Sequence, residues 1–286
     1  LIPAQNIIAW GNIAPWAEQR QIEQDLIISR AIIEIFSDDF LKEQLRFRGG
    51  TALNKLHFPA PLRYSEDIDF VRTTEGPIGP ILDRLREVLA WLGTAQFEQS
   101  PVAPKLNFEA EAESGGQLKL KLEISTRERT VYDEPIAISH AVDNPWFAGQ
   151  ADILTFTNEE MLATKLRALL QRNKGRDLFD IAHALTVFGD LDAKKVASMF
   201  QKYLAVQDDR ITRAQAEERM FGKLANPAFL RDLRPLLPPD QADKLTDEDT
   251  KDAFITVFTG LITHIEGKSW ARMPEMAERF SVDVAG

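Results

Sequence analysis

The sequence has no cysteine. That excludes disulfides, thiolate metal sites and cysteine nucleophiles, and it suits a reducing compartment such as the cytoplasm. Its four histidines, His57, His140, His183 and His264, are scattered without metal-ligand spacing, so any metal would be a hard cation held by oxygen. Apolar runs long enough to span a bilayer are missing, because Asp, Glu, Lys or Arg interrupts every stretch. No basic segment followed by an apolar one opens the chain as a secretory signal would. Basic residues are outnumbered, 34 Lys and Arg against 44 Asp and Glu, for a formal charge of −10. This argues against a non-specific nucleic-acid binder, yet it leaves room for an enzyme that grips nucleic acid through a local basic patch. Glycine and proline, at 15 each in 286 residues, are too few for a collagen-like or disordered chain. No internal repeat is present, and the length suits one large domain or two ordinary ones.

Read in order, residues 1–17 carry Trp10, Trp16 and two prolines without a clear period, which predicts an extended arm whose tryptophans pack on the body. Helical spacing follows from Glu18 to Phe36. Ser37 then reads as the N-cap of a second helix running to Leu45. A short strand, Leu45 to Arg48, leads to Gly49-Gly50, a helix from Thr51 to Phe58 stopped by Pro59 and Pro61, and a strand from Tyr64 to Val71. Pro77 to Leu92 is an amphipathic helix. Residues 105–125 give the strongest β signal, two alternating runs around Ser114-Gly115-Gly116. A three-residue loop there places Glu111 opposite Lys119 and Glu109 opposite Lys121. Weaker strands are expected over 134–139 and 152–156. From the capping-box pattern Thr157-x-x-Glu160 onward the pattern is helical: to Arg172, then 177–188, 193–206, 212–224, 227–233 and 247–267.

The chemistry concentrates between Phe47 and Arg72. Asp67 and Asp69, two apart on a strand, point to one face while Ile68 and Phe70 enter the core. Two such carboxylates repel unless solvated, protonated or bridged by a cation. Mg²⁺, which takes one or two carboxylates with phosphate oxygens and water, matches the ligands on offer. Gly49 and Gly50 open a helix, where bare N–H groups and the absence of a side chain admit a phosphate; Thr51 adds a hydroxyl. Glu123, on the polar side of a strand whose other side is aliphatic, is a candidate third acid. Each feature alone has a plain structural explanation: a solvated strand end, a turn, a surface glutamate paired with lysine. Ser65 shares the strand face with Asp67 and Asp69 and is a candidate phosphate contact or modification point. Downstream, Thr164, Lys165, Arg172, Lys174 and Arg176 crowd basic and polar groups together, a grip for a triphosphate or an RNA backbone. Lys165 reads equally as a snorkelling lysine. Asp177 and Asp180 share a helix face and read equally as a cap and an ion pair.

The segments FRGGTALNKLHF, RYSEDIDFV, LKLEIS and NEEMLATKLRALLQRNKGRDLFDI resemble the AbiEii/AbiGii-type nucleotidyltransferase toxins. That group includes the MenT-type enzymes and belongs to the DNA polymerase β-like nucleotidyltransferase superfamily. The resemblance covers about residues 18–190 and departs from the superfamily pattern in having Gly50-Thr51 where Gly-Ser is common. It implies an α+β fold: a polymerase β-like domain with a small mixed sheet over 1–155, and an α-helical domain over 156–286 that completes the active-site cleft. It also implies that Asp67 and Asp69, with Glu123 as third acid, hold one or two Mg²⁺. Asp67, Asp69, Lys165 and Asp180 would be catalytic. Gly49, Gly50, Thr51, Ser65, Lys165, Arg176 and Asp177 would bind the nucleotide. The implied activity is transfer of a nucleoside monophosphate from an NTP to the 3′ end of tRNA, inhibiting translation. The protein would be cytoplasmic, without membrane contact, and the toxin of a toxin–antitoxin or phage-defence pair with a cognate antitoxin. The residues themselves leave open a protein or small-molecule acceptor, and a catalytically silent nucleotide- or partner-binding module.

Overall fold

A computed structural model describes residues 2–226, 229 and 232–284. The chain forms two compact units, residues 1–157 and 158–286.

Unit 1 is built on one seven-stranded mixed sheet. Its elements in order are α1 (Ala4–Trp10), α2 (Gln19–Ser37), α3 (Asp39–Gln44), β1 (Leu45–Arg48), α4 (Gly49–Ala52), β2 (Asp67–Arg72), α5 (Gly79–Val88), β3 (Gln96–Glu98), β4 (Lys105–Glu111), β5 (Gln117–Ser125), β6 (Ile136–Asn144) and β7 (Phe147–Thr155). The strand order is β3-β4-β5-β2-β1-β7-β6, which puts β2 in the middle. β2 runs antiparallel to β1 and parallel to β5. The apolar side of α2 packs on the sheet, with Phe36 6.0 Å and Phe47 5.7 Å from Phe70 at the ring centroids.

Several expectations need correction. The arm is not wholly extended, since Ala4–Trp10 forms a helix entered from Pro3. Asp38, not Ser37, caps α3 by accepting from the Leu41 N–H at 2.9 Å. The strand with the two aspartates starts at Asp67, not Tyr64. The helix after β1 begins at the glycines themselves and continues as a π-type turn over Leu53–His57. The weak strands of the second hairpin are nine residues each, joined at Pro145-Trp146. The hairpin of β4 and β5 is out by two residues: Glu109, not Glu111, faces Lys119, and Asn107 faces Lys121. Its loop is five residues, Ala112–Gly116, because Gly115 and Gly116 both take positive φ and the Ala112 N–H bonds back to the Gly116 carbonyl.

The arm is fastened by one buried carboxylate. Asp25, on α2, accepts from the indole N–H of Trp10 at 2.8 Å and of Trp16 at 3.1 Å, and pairs with Lys55 Nζ at 2.8 Å. Lys55 also reaches Ser29 Oγ at 2.9 Å, so it points inward.

Among its described residues unit 2 is helical: α6 (Asn158–Gln171), α7 (Gly175–Val187), α8 (Ala193–Ala205), α9 (Arg213–Leu224), α10 (Pro239–Ala242), α11 (Asp247–Gly260) and α12 (Met273–Phe280). Phe221 is central to its core, with Phe254, Phe258 and Phe280 around it at 5.1–6.3 Å. Positions 227, 228, 230 and 231 of the helix expected over 227–233 lie outside the described residues. No helix of the described residues is long and apolar enough to cross a membrane.

Replacing Asp25 with Ala leaves the buried Lys55 and two indole donors without their acceptor, and should cost about 3 kcal/mol. Urea unfolding followed by tryptophan fluorescence measures this; a loss below about 1 kcal/mol, the value of an exposed pair, would show that the carboxylate does not hold the arm.

Candidate active site

Three acids meet on the central strands of unit 1. Asp67 and Asp69 lie two apart on β2, and parallel pairing places Glu123 of β5 directly beside Asp69 and Lys121 beside Asp67. Lys121 Nζ is 3.0 Å from Asp67 Oδ2. The two-residue register difference in the neighbouring hairpin matters here, because it opposes Lys121 to Asn107 and leaves the lysine for Asp67. Burial, reinforced by the charges of Asp67 and Glu123 against the opposing pull of Arg48 and Lys121, pushes the Asp69 carboxyl up to about 6. Arg48 is spoken for by Glu128 at 2.6 Å, a partner eighty positions away in the chain.

The glycine pair is fitted around these acids. Gly49 has φ +85°, and a Cβ there would lie 2.3 Å from Asp69 Oδ2. A Cβ on Gly50 would lie 2.5 Å from Arg63 Nη2 and 3.3 Å from Ser65 Oγ. The carboxylate of Asp69 thus rests against bare main chain. Thr51 is 1% exposed. Its hydroxyl donates to the Asp67 carbonyl and lies 2.8 Å from Ser65 Oγ. Thr51 therefore ties α4 to the start of β2, and Ser65 stands next to it. Asn54 completes the frame: its amide donates to the Gly50 carbonyl at 2.9 Å, while its Oδ1 accepts from the N–H groups of Leu62 and Arg63 at 2.9 and 3.0 Å. Asn54 was not singled out in the sequence, where it looks like an ordinary helix residue.

The donor set suits a small hard cation. Asp67 and Asp69 supply two carboxylates, and Mg²⁺ needs only one or two together with phosphate oxygens and water. Among the described residues no group of three acid or histidine side chains is placed to hold a metal ion, so Glu123, expected as a third metal ligand, does not form such a set with Asp67 and Asp69, and Asp67 is drawn to Lys121.

In unit 2, Lys165 of α6 is 5% exposed and sits between two carboxylates of α7 that are fully buried. Its Nζ is 3.1 Å from Asp177 Oδ1 and 2.5 Å from Asp180 Oδ2. Arg172 adds a bidentate grip on Asp177, at 2.6 and 2.8 Å. Lys165, Asp177 and Asp180 are thus brought together, as a buried ion-pair cluster. Arg176 stands apart from it, 3.9 Å from Asp232. Burial alone would raise the Asp177 carboxyl, but the Lys165 ammonium and the Arg172 guanidinium outweigh it and hold Asp177 well below the ordinary carboxylate range. Glu160 is turned to the Tyr203 hydroxyl at 2.7 Å, and the Thr157 hydroxyl to Asp133 at 2.8 Å.

The sequence profile described as "Nucleotidyl transferase AbiEii toxin, Type IV TA system" matches residues 30–256. Among solved structures, MenT4, a nucleotidyltransferase toxin from Mycobacterium tuberculosis H37Rv, is similar in fold. Its TM-score is 0.62 at 17% identity, over 98% of this chain and 99% of that one. An antigenic nucleotidyltransferase-like protein from Paracoccidioides brasiliensis aligns at 14% identity and TM-score 0.41 over 65% of this chain and 89% of that one. No curated protein sequence matches.

Two outcomes follow from this geometry. Gly49→Ala forces a side chain into left-handed backbone and onto Asp69, and should lower activity by about 10²-fold with the fold retained, as expected for a catalytic group displaced by about 1 Å; an active Gly49→Ala protein would show that Asp69 has room to spare. A carboxyl depressed on folding stabilises above its unfolded value of about 4 and loses that contribution as pH falls through its folded value. Unit 2 should therefore lose stability below about pH 4. Lys165→Met should cost about 3–5 kcal/mol near neutrality and make the acid-side decline shallower, since one of the two cations acting on Asp177 is gone. Denaturant melts of the whole protein from pH 7 to pH 2 read both effects, and superimposable wild-type and variant curves would dismiss the cluster as a source of stability.

Proposed function

The chain belongs to the nucleotidyl transferase AbiEii toxin family of type IV toxin–antitoxin systems, and we propose that it is a Mg²⁺-dependent enzyme acting on the 3′ end of tRNA. Membership makes it a nucleotidyltransferase with an NTP substrate and an antitoxin partner. The observation that carries the metal-dependent reading is the placement of Asp67, Asp69 and Glu123 on adjacent central strands, with Gly49 held open beside Asp69.

In the proposed reaction the acceptor hydroxyl oxygen bonds to the α-phosphorus of the NTP. The bond from that phosphorus to the bridging oxygen of the β-phosphate breaks, and pyrophosphate leaves. Bound divalent metal would lower the charge on the phosphates and activate the attacking hydroxyl. The protein's own contribution is position. Asp67 and Asp69 would hold the metal, and Glu123 would be the third acid. The N–H groups of Gly49 and Gly50 face the phosphates where no side chain intervenes. Thr51 and Asn54 hold that segment to the acid strand, and Ser65 lies at its edge. Lys121 restrains Asp67 before substrate arrives.

Lys165, Asp177 and Asp180 enter the proposal as a charged frame. The cluster fixes the turn between α6 and α7, and the two bonds that Arg172 donates to Asp177 set the orientation of its half-exposed guanidinium. Arg176 adds a second cation on the same turn. Nucleotide added to tRNA ends would block their charging and so inhibit translation, the effect expected of the toxin of an antitoxin-controlled or phage-defence pair.

The test is incubation of purified protein with each labelled NTP and total RNA in Mg²⁺. Label should enter tRNA, vanish with EDTA, and fall by at least about 10²–10³-fold in Asp67→Ala, the loss expected when a transition-state electrostatic group is removed. Label appearing in protein or a small molecule would redirect the acceptor assignment. Toxicity that survives Asp69→Ala would favour a silent binding module over an enzyme.

A further inference from the structure

Unit 2 has an open pocket of about 630 Å³. Its wall includes Arg172, Asn173, Asp209, Arg219, Gly222 and Lys223. Arg219 and Lys223 are one turn apart on α9. Arg219 Nη1 donates to the Leu170 carbonyl at 3.3 Å, and Lys223 Nζ to the Arg172 carbonyl at 2.6 Å. Both acceptors are neutral main-chain oxygens at the end of α6. Among the described residues neither cation has a carboxylate partner. Arg172 lines the same wall with its side chain 49% exposed, its orientation set by Asp177. The wall also carries one acid, Asp209, which accepts from the Gln171 amide at 3.2 Å and leaves the cations in excess.

Helix capping explains only part of this. The C-terminus of α6 carries about half a negative charge, which one cation would answer. Here three gather. Burial lowers the Lys223 ammonium, and Arg219 lowers it further against the pull of Asp177. The chain as a whole is acidic, at −10, so a cluster of cations with room in front of it is a local field built for an anion. A triphosphate is a poor match, because the pocket offers no pair of carboxylates for the divalent cation that accompanies one. An open groove of Arg and Lys with flanking amides matches the backbone of a nucleic acid.

We infer that this pocket is a phosphodiester subsite for the acceptor RNA, with Arg219 and Lys223 gripping the phosphate and the exposed edge of Arg172 beside them. The inference deepens the tRNA-acceptor reading and rests on it.

The experiment compares wild type with Arg219→Gln/Lys223→Gln and with Gly222→Glu. A Cβ at Gly222 meets nothing within 4 Å, so glutamate there sets a negative charge into the pocket beside Arg219 and Lys223, and it improves helix propensity. It keeps the inference testable if the double variant fails to fold. Gly222→Gln controls for size. Fluorescence anisotropy gives Kd for a tRNA transcript and for NTP across a salt series, and the labelling assay is run alongside. The double variant and Gly222→Glu should bind tRNA about tenfold more weakly, with a salt slope shallower by about one in the double variant. Gly222→Gln should match wild type, and NTP affinity should hold throughout. Unchanged tRNA affinity in Gly222→Glu and in the folded double variant overturns the subsite. NTP affinity that weakens in place of tRNA affinity overturns it in favour of free nucleotide. Wild type that labels tRNA while Gly222→Glu binds it normally sinks the subsite and spares the acceptor reading. Wild type that binds tRNA through the pocket and labels none spares the subsite and sinks the acceptor reading. Wild type with no tRNA affinity overturns both.

Discussion

Asp69 stands between like charges, with Asp67 two residues away on β2 and Glu123 beside it on β5. Left to themselves these carboxylates would splay or take up protons. The sheet prevents the first, since pairing of β2 with β1 on one side and β5 on the other fixes every Cα in the group. The second is felt at Asp69, whose carboxyl burial raises, while Lys121 pairs with Asp67. Much of unit 1 can be understood as holding this arrangement. Gly49 leaves space for the Asp69 carboxylate, Thr51 fastens the glycine segment to Asp67, and Asn54 ties the Gly50 carbonyl to the backbone of Leu62 and Arg63.

Unit 2 handles charge differently. Lys165, Asp177 and Asp180 are enclosed, and their mutual contacts leave little for a ligand to take up. Buried ion pairs add little net stability compared with an apolar core, but losing one partner is costly. The cluster is best understood as a rigid frame whose outward element is Arg172. From there the positive surface continues to Arg219 and Lys223, which lean on carbonyls at the end of α6.

The local geometry of the site was legible in the sequence because a strand's period of two reveals which side chains share a face. Asp67 and Asp69 could be assigned together on that basis, and the hairpin of β4 and β5 announced itself by alternation, whereas Glu123 was joined to the two aspartates through the family resemblance and stands beside Asp69 by the pairing of β2 with β5. Its register could not be read, since Ser114-Gly115-Gly116 fits a three-residue loop as well as the five-residue one that forms. That ambiguity hid the pairing of Lys121 with Asp67. Asp25 was hidden for another reason: an acid within an isoleucine-rich helix gives no sign that two indoles and a lysine converge on it. The α9 cations were missed because their significance depends on Arg172, some fifty positions earlier in the chain.

We propose above all that Asp67 and Asp69 hold a divalent cation for phosphoryl chemistry. Anomalous diffraction from crystals grown with Mn²⁺ and a non-hydrolysable NTP tests it most directly. An anomalous peak should appear bounded by the carboxylates of Asp67 and Asp69 and by phosphate oxygens, with the phosphates against Gly49 and Gly50. Nucleotide bound elsewhere, or bound there with no metal at the two aspartates, would contradict it.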